Sequence, residues 1–183
     1  QDHYASAYGN LNVFTFHPDE VVTVDPVFYR PEVWCELEQN LLLFYTKFKR
    51  DSSDVLRIQE RGAKNNRLIL RQMKDLVSIL QDVLSTGKNL NRIGEILHQN
   101  WVLKRKLADC ITSSTIDKYY EEALKAGAVG GKLLGAGGGG FLLFYVELQN
   151  QKAVIQALSG LHYLKVGLDT GGTRITYYDQ TVI

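Results

Sequence analysis

Gly130-Gly131-Lys132-Leu133-Leu134-Gly135-Ala136-Gly137-Gly138-Gly139-Gly140, running directly into Phe141-Leu142-Leu143-Phe144-Tyr145-Val146, decides how this chain is read. Seven of the first eleven residues are glycine, and the next six are apolar without a break. Glycine loses the most backbone freedom on ordering and packs no side chain, so such a density calls for a cause. The usual cause is a backbone that must come close to a ligand, often a phosphate, with its N–H groups turned toward it. A tight turn between two elements, holding nothing, is the plainer alternative.

The flanking sequence sorts the known glycine loops. Gly135, Gly137 and Gly140 satisfy G-x-G-x-x-G literally, but a dinucleotide fold needs a strand before that motif and a helix after it. Here Ser114 to Ala126 reads as a helix, with Ile116, Tyr119, Tyr120, Ala123 and Leu124 at helical spacing, and 141–146 reads as a short buried strand. The order is reversed, which argues against a Rossmann site. No Gly-Lys-Ser/Thr closes the run, so a P-loop is excluded as well.

Composition sets the outer bounds. A length of 183 residues, 45% hydrophobic and 22% charged, suits one large or two small globular domains. A net charge of +1 gives no electrostatic case for nucleic acid or a membrane surface. The apolar runs at 41–45 and 141–146 are too short to span a bilayer. Two cysteines, Cys35 and Cys110, without a Cys/His cluster, argue against a disulfide scaffold or a zinc site, so no metal ligands are assigned. A cytoplasmic protein is expected. The opening QDHYASAYG reads as the middle of a fold, as in a fragment.

Along the chain, 12–16 and 21–24 read as strands joined by a turn at His17-Pro18-Asp19-Glu20, and 41–46 as a third strand. Asp51-Ser52-Ser53-Asp54 breaks the pattern with turn and cap residues. Leu68, Ile69, Met73, Leu76, Val77, Leu80, Val83 and Leu84 then mark a helix that Gly87 stops. A second helix is expected over about 90–108, with Lys104-Arg105-Lys106 on a solvated side. Helix 114–126, the glycine loop and strand 141–147 follow, then a helix near 151–158 and strands near 164–168 and 174–178. The reading is α+β, an antiparallel sheet covered by helices, with a β-rich N-terminal piece over 1–51 and an α+β domain over 52–183.

These segments carry a family resemblance. KLLGAGGGGFLLFYV at 132–146 resembles the third motif of the GHMP kinases, the superfamily of galactokinase, homoserine kinase, mevalonate kinase and phosphomevalonate kinase. QDHYASAYG at 1–9 resembles the segment that holds a catalytic aspartate in its sugar kinases. Residues 98–140 are similar to the heptose 7-phosphate kinase branch, with fucokinases nearby. The resemblance implies a ferredoxin-like C-terminal kinase domain over 52–183. It also implies that 1–51 is a remnant of the N-terminal, ribosomal S5 domain 2-like domain. The motifs that wrap the ATP phosphates and help hold the sugar lie upstream of the aspartate in that family, so the chain is expected to correspond to the C-terminal half of a kinase and to be inactive alone.

Phosphoryl transfer to a sugar hydroxyl needs positioning, charge neutralisation and a base. By resemblance Asp2 is the catalytic base, against a plain reading as a helix cap or solvated acid. Gly135, Ala136, Gly137, Gly138, Gly139 and Gly140 would line the opposite side of the cleft and offer backbone amides to sugar or phosphate. Lys132 would neutralise phosphate charge, or else lie solvated at a helix exit. ATP and Mg²⁺ are the implied cofactors, held mainly by the other half, with a sugar or sugar phosphate as acceptor and no nucleic acid or membrane partner. His98, Asp169 and Arg174 are expected to be structural, and Tyr119, Tyr120, Phe141 and Phe144 to be core. The alternative function is a non-catalytic α+β module that binds a ligand or partner. Strands 12–16, 21–24 and 41–46, deprived of sheet partners, are expected to promote self-association.

Overall fold

The computed structural model describes residues 2–49 and 51–177. In chain order its elements are helix α1 (Asp2–Tyr8), strands β1 (Asn12–Phe16) and β2 (Val22–Pro26), α2 (Pro31–Asn40), β3 (Leu41–Tyr45) and α3 (Ser52–Gly62). Next come α4 (Arg67–Thr86), α5 (Asn91–Arg105), a 3-10 turn at Asp109–Ile111 and α6 (Ser114–Lys125). Strands β4 (Gly130–Leu133) and β5 (Phe141–Tyr145), helix α7 (Leu148–Ala157) and strand β6 (His162–Lys165) complete the order.

Two compact units divide the chain. One holds residues up to Phe28 together with those from Gly167 on; the other is Tyr29–Val166. The division therefore does not fall between residues 51 and 52. The reason is β3: LLLFY, read in sequence as part of the N-terminal piece, is an inner strand of the larger unit's sheet. Its neighbours are β5 (Leu41↔Tyr145 to Tyr45↔Phe141) and β6 (Leu42↔Lys165 to Tyr45↔His162). A strand this apolar is stable only with neighbours on both edges and a packed face.

In the larger unit the sheet order is β4-β5-β3-β6, with every neighbouring pair antiparallel. Strand, helices, hairpin, helix, strand is the β-α-β-β-α-β plan of ferredoxin-like domains, the first crossover here being four helices long. The expected α+β class and antiparallel sheet stand. Leu42, Phe44, Leu142, Phe144 and Val146 project from alternate strand positions and are buried against Trp101, Ile116, Tyr120 and Ala123. Phe144 meets Phe44 edge-on at 6.1 Å and Tyr120 at 5.4 Å.

Local chemistry sets the helix ends. Ser113 caps α6 by accepting from the Ile116 amide, and Gly87 closes α4 in the left-handed conformation at φ 65°. Asp51 accepts from the Ser53 amide at 2.9 Å, so Asp51-Ser52-Ser53-Asp54 starts α3 rather than forming a loop. Pro31 at the first turn begins α2, a helix that sequence periodicity does not announce because only Val33, Leu37 and Asn40 are buried on it.

In the smaller unit β1 and β2 form the expected hairpin, Phe16 opposite Val22, with Tyr4 of α1 against Phe14 and Phe16. The segment expected as a last strand is not one over 174–177; Tyr178 lies outside the described residues. Thr173 instead donates to the Ala7 carbonyl at 3.0 Å, and Asn10 to that of Asp169 at 3.2 Å.

Candidate functional site: a bare hairpin loop

The glycine stretch does not link a helix to a strand. It begins as β4, paired Gly130↔Tyr145 to Leu133↔Leu142 with β5, so 134–140 is the loop of a β-hairpin. Glycine's low strand propensity hides β4 in the sequence. Close packing explains why the strand carries glycine: a Cβ on Gly130 would overlap the Gly94 carbonyl of α5.

The loop itself is held on one side and open on the other. The Gly138 amide donates to the Ile111 carbonyl at 2.8 Å and the Gly140 amide to that of Phe48 at 3.0 Å. Thr46 donates to the Gly140 carbonyl through both backbone and hydroxyl, each at 2.9 Å. Gln59 holds the Ala136 carbonyl at 2.9 Å, and the buried Lys104 ammonium donates to that of Gly135. Four of the loop's carbonyl and amide anchors thus come from α3, α5 and the segment after β3. On the free side, Cβ positions at Gly135 and Gly140 meet nothing within 4 Å. The amides of Gly135, Ala136, Gly137 and Gly139 have no partner among the described residues.

This side lines a cavity of about 500 Å³, together with Tyr45, Phe48, Lys49, Ser52 and Phe141. Among the described residues its walls carry one lysine and no carboxylate. The Lys49 side chain is exposed and has no ion pair among the described residues. Unpaired amides, a lone cation and no acid make the cavity receptive to an anion.

Sequence-expected residues distribute unevenly around it. Gly135, Ala136, Gly137, Gly139 and Gly140 line the cavity; Gly138, bonded to Ile111, is not among its walls. Lys132 is not there either. It donates to Asn100 of α5 at 2.9 Å, and burial pushes its ammonium below the usual lysine range. Asp2 begins α1 in the smaller unit, its side chain exposed. His98 is structural: Tyr120 donates its one hydroxyl proton to the Gly131 carbonyl at 3.0 Å, so His98 Nδ1, at 2.9 Å, must donate to the Tyr120 oxygen. Asp169 accepts from the Gly171 amide, a turn contact as expected.

Sequence reading missed Lys104, placed on a solvated face but in fact buried beneath the loop, as well as Lys49 and Ser52. Lys104 had one signal: spacing of three from Trp101, which puts both on one side of α5. Of its neighbours, Arg105 pairs with Asp117 at 2.9 Å, and Lys106 is exposed.

Fold and loop together define the class: a ferredoxin-like α+β domain whose hairpin presents bare backbone to a cavity suited to an anion. Residues 73–163 match the family described as GHMP kinases C terminal, and the chain carries a GHMP kinase C-terminal domain. It is 28% identical over 163 residues to D-glycero-alpha-D-manno-heptose 7-phosphate kinase of Campylobacter jejuni, covering 86% of this chain and 47% of that protein. Among solved structures, L. major mevalonate kinase in complex with R-mevalonate superposes with a TM-score of 0.68 at 18% identity, covering 87% of this chain and 47% of that one. A D-glycero-D-manno-heptose 1-phosphate kinase from Bacteroides thetaiotaomicron gives 0.57 at 22%, covering 95% and 48%. At these identities the structural likeness concerns the fold. The chain spans about half the length of each of these relatives. No helix among the described residues is long and apolar enough to cross a membrane.

Proposed function

We propose that this chain supplies the C-terminal half of an ATP-dependent sugar or sugar-phosphate kinase, acting on the anomeric hydroxyl of a heptose 7-phosphate. The observation that carries the proposal is the open side of the loop: four backbone amides without partners belong to residues that line a cavity whose described walls hold one lysine and no acid. In phosphoryl transfer, charge spreads over the equatorial oxygens of the moving group, and fixed donors stabilise it. The Gly135, Ala136, Gly137 and Gly139 amides would take that role with Lys49. The acceptor is read from the heptose 7-phosphate kinase likeness, and fucose remains the second choice.

Among the described residues no three His, Cys, Asp or Glu side chains converge to hold a metal. Mg²⁺ would therefore arrive on the nucleotide phosphates, whose charge it neutralises. Asp2, by family resemblance, would accept the hydroxyl proton. In the same reading the unit that contains α1 and the β1–β2 hairpin belongs to the ribosomal S5 domain 2-like kinase domain, and a cytoplasmic setting is proposed.

An ADP-release assay tests this on the 183-residue chain, alone and fused behind the N-terminal half of the Campylobacter heptose 7-phosphate kinase. Silence from the chain alone and heptose-dependent turnover from the fusion are expected, with turnover lost in Asp2→Asn. A fusion that folds by circular dichroism yet turns over none of a panel of sugars and sugar phosphates would defeat the kinase reading. It would leave the non-catalytic binding module as the reading of the chain.

A further inference from the structure

The cations Lys104, Arg105 and Lys106 at the end of α5 part according to what packs over them, and the first goes to the glycine loop. Lys104 is only 8% exposed and is not among the walls of the loop cavity, yet its ammonium donates to the Gly135 carbonyl. Gln59, half-buried on α3 and also outside those walls, donates through Nε2 to the next carbonyl, that of Ala136, at 2.9 Å. Two consecutive carbonyls of the loop are thus drawn toward side chains outside the cavity, one from each of two helices.

Peptide geometry turns these contacts into directions for the amides. In a planar trans peptide the C=O of one residue and the N–H of the next point opposite ways. Holding the Gly135 carbonyl therefore aims the Ala136 N–H away from Lys104, and holding the Ala136 carbonyl aims the Gly137 N–H away from Gln59. Ala136 and Gly137 both line the cavity, and neither amide has an acceptor among the described residues. Gly135 and Gly137, at φ 72° and 122°, flank Ala136 with backbone that can rotate freely. Without the two side-chain anchors nothing would keep either N–H so aimed.

The charge acts as well as the contact. An ammonium bonded to a carbonyl polarises that peptide, and the N–H on its far side becomes a stronger donor. Lys104 thus reaches the cavity through the Gly135–Ala136 peptide, whereas Lys49, a wall residue, would meet an anion directly. We propose, resting on the reading of this cavity as a phosphate site, that Lys104 and Gln59 are its positioning residues. They aim the Ala136 and Gly137 amides at a phosphate oxygen, and Lys104 also strengthens the Ala136 donor.

Titration of the 183-residue chain with inorganic pyrophosphate at constant ionic strength, followed amide by amide in NMR, tests the assignment. Saturable downfield shifts of the Ala136, Gly137 and Gly139 amide protons are expected. Lys104→Met should weaken binding roughly tenfold and abolish the Ala136 shift at saturation, while Gln59→Leu should abolish that of Gly137. Lys49→Met should weaken binding yet keep all three shifts at saturation, since it leaves the amides aimed as before. Lys106→Met, the same loss of charge at an exposed position, should change neither affinity nor pattern. Unchanged β5 shifts report an intact sheet; where Lys104→Met disturbs them, the Gly137 shift in Gln59→Leu decides. Full Ala136 and Gly137 shifts in these variants, or a uniform loss of all three, would overturn the proposal and leave the anion site standing. A wild-type loop indifferent to pyrophosphate would remove site and proposal together. A silent kinase fusion beside an intact pyrophosphate pattern would end the kinase reading alone.

Discussion

At the scale of single residues, two glycines, each one position in from an end of the 134–140 loop, differ in what an added methyl would meet. A Cβ on Gly139 would lie 2.5 Å from the Phe48 carbonyl, so Gly139→Ala must push the loop off its base. We expect a stability loss of roughly 1–3 kcal/mol in urea unfolding. Gly135 has φ 72° and open space where its Cβ would go. Gly135→Ala should cost only about 1 kcal/mol of backbone strain, yet lower turnover in the fused kinase by far more than that loss of stability accounts for. Equal effects on both readouts would remove the ligand-facing role.

Tyr120 gives a pH signature at the same scale. Burial pushes its hydroxyl up to about 12, against the downward pull of its bond to Gly131 and of the Arg105 charge. The unfolded chain ionises this tyrosine near 10. Between about pH 10 and 12 the folded state therefore keeps a proton that the unfolded state has lost, and stability falls as pH rises through that window. Unfolding free energies from urea titrations at pH 9 and 11 should differ by roughly 1 kcal/mol more in the wild type than in Tyr120→Phe. Identical slopes would show that Tyr120 titrates normally.

At the scale of elements, α5 and the hairpin are coupled by the absence of side chains between them. An alanine inside a helix usually stabilises it by about 1 kcal/mol over glycine. At Gly94 the added Cβ would stand 2.8 Å from the Val129 side chain, while Gly130 already rests on the Gly94 carbonyl. Gly94→Ala is thus expected to destabilise by roughly 1–3 kcal/mol, with exchange of β4 amides quickening before those of β6. A stabilised variant would mean that α5 and β4 are not in the close register described.

The elements also show what sequence alone reveals. Helices α4 and α6 were legible because Leu76, Val83 and Leu84, and Ile116, Tyr120 and Ala123, repeat at helical spacing, with Gly87 ending the first and Ser113 starting the second. Strand β5 was legible from its aromatic run. Strand β4 was not, since Gly130 and Gly131 are selected by what they touch and carry no strand preference. The cavity-lining glycines were found by composition, but Lys104 and Lys49 were not. A lysine's burial is decided by what packs over it, and Gly135 lies 31 residues from Lys104. Lys132 misled for the converse reason: its neighbours in sequence line the cavity, while strand alternation turns it to Asn100.

At the scale of the whole molecule, self-association remains a proposal, and its basis narrows to one of the two units. β3 is paired on both edges, which leaves the smaller unit as the source. Phe28 is 83% exposed there, and Tyr8, Phe16 and Val21 are more than half exposed. A two-stranded hairpin has little stability of its own. Light scattering across a wide concentration range should show a dimer or larger species that Phe28→Ser with Val21→Thr reduces, and the β1–β2 amides should exchange faster than those of β3 and β5. A strict monomer would end the proposal.

The central position of β3 has one more consequence, which concerns biosynthesis. Its partners are far downstream: Asn40 and Tyr145, bonded at the end of the β3–β5 ladder, are 105 residues apart. At about 5–20 residues per second a ribosome needs roughly 5–20 s to make that interval. Throughout it, LLLFY is a nascent strand with neither edge satisfied, the segment on which chaperones would be expected to settle and from which misassembly would begin.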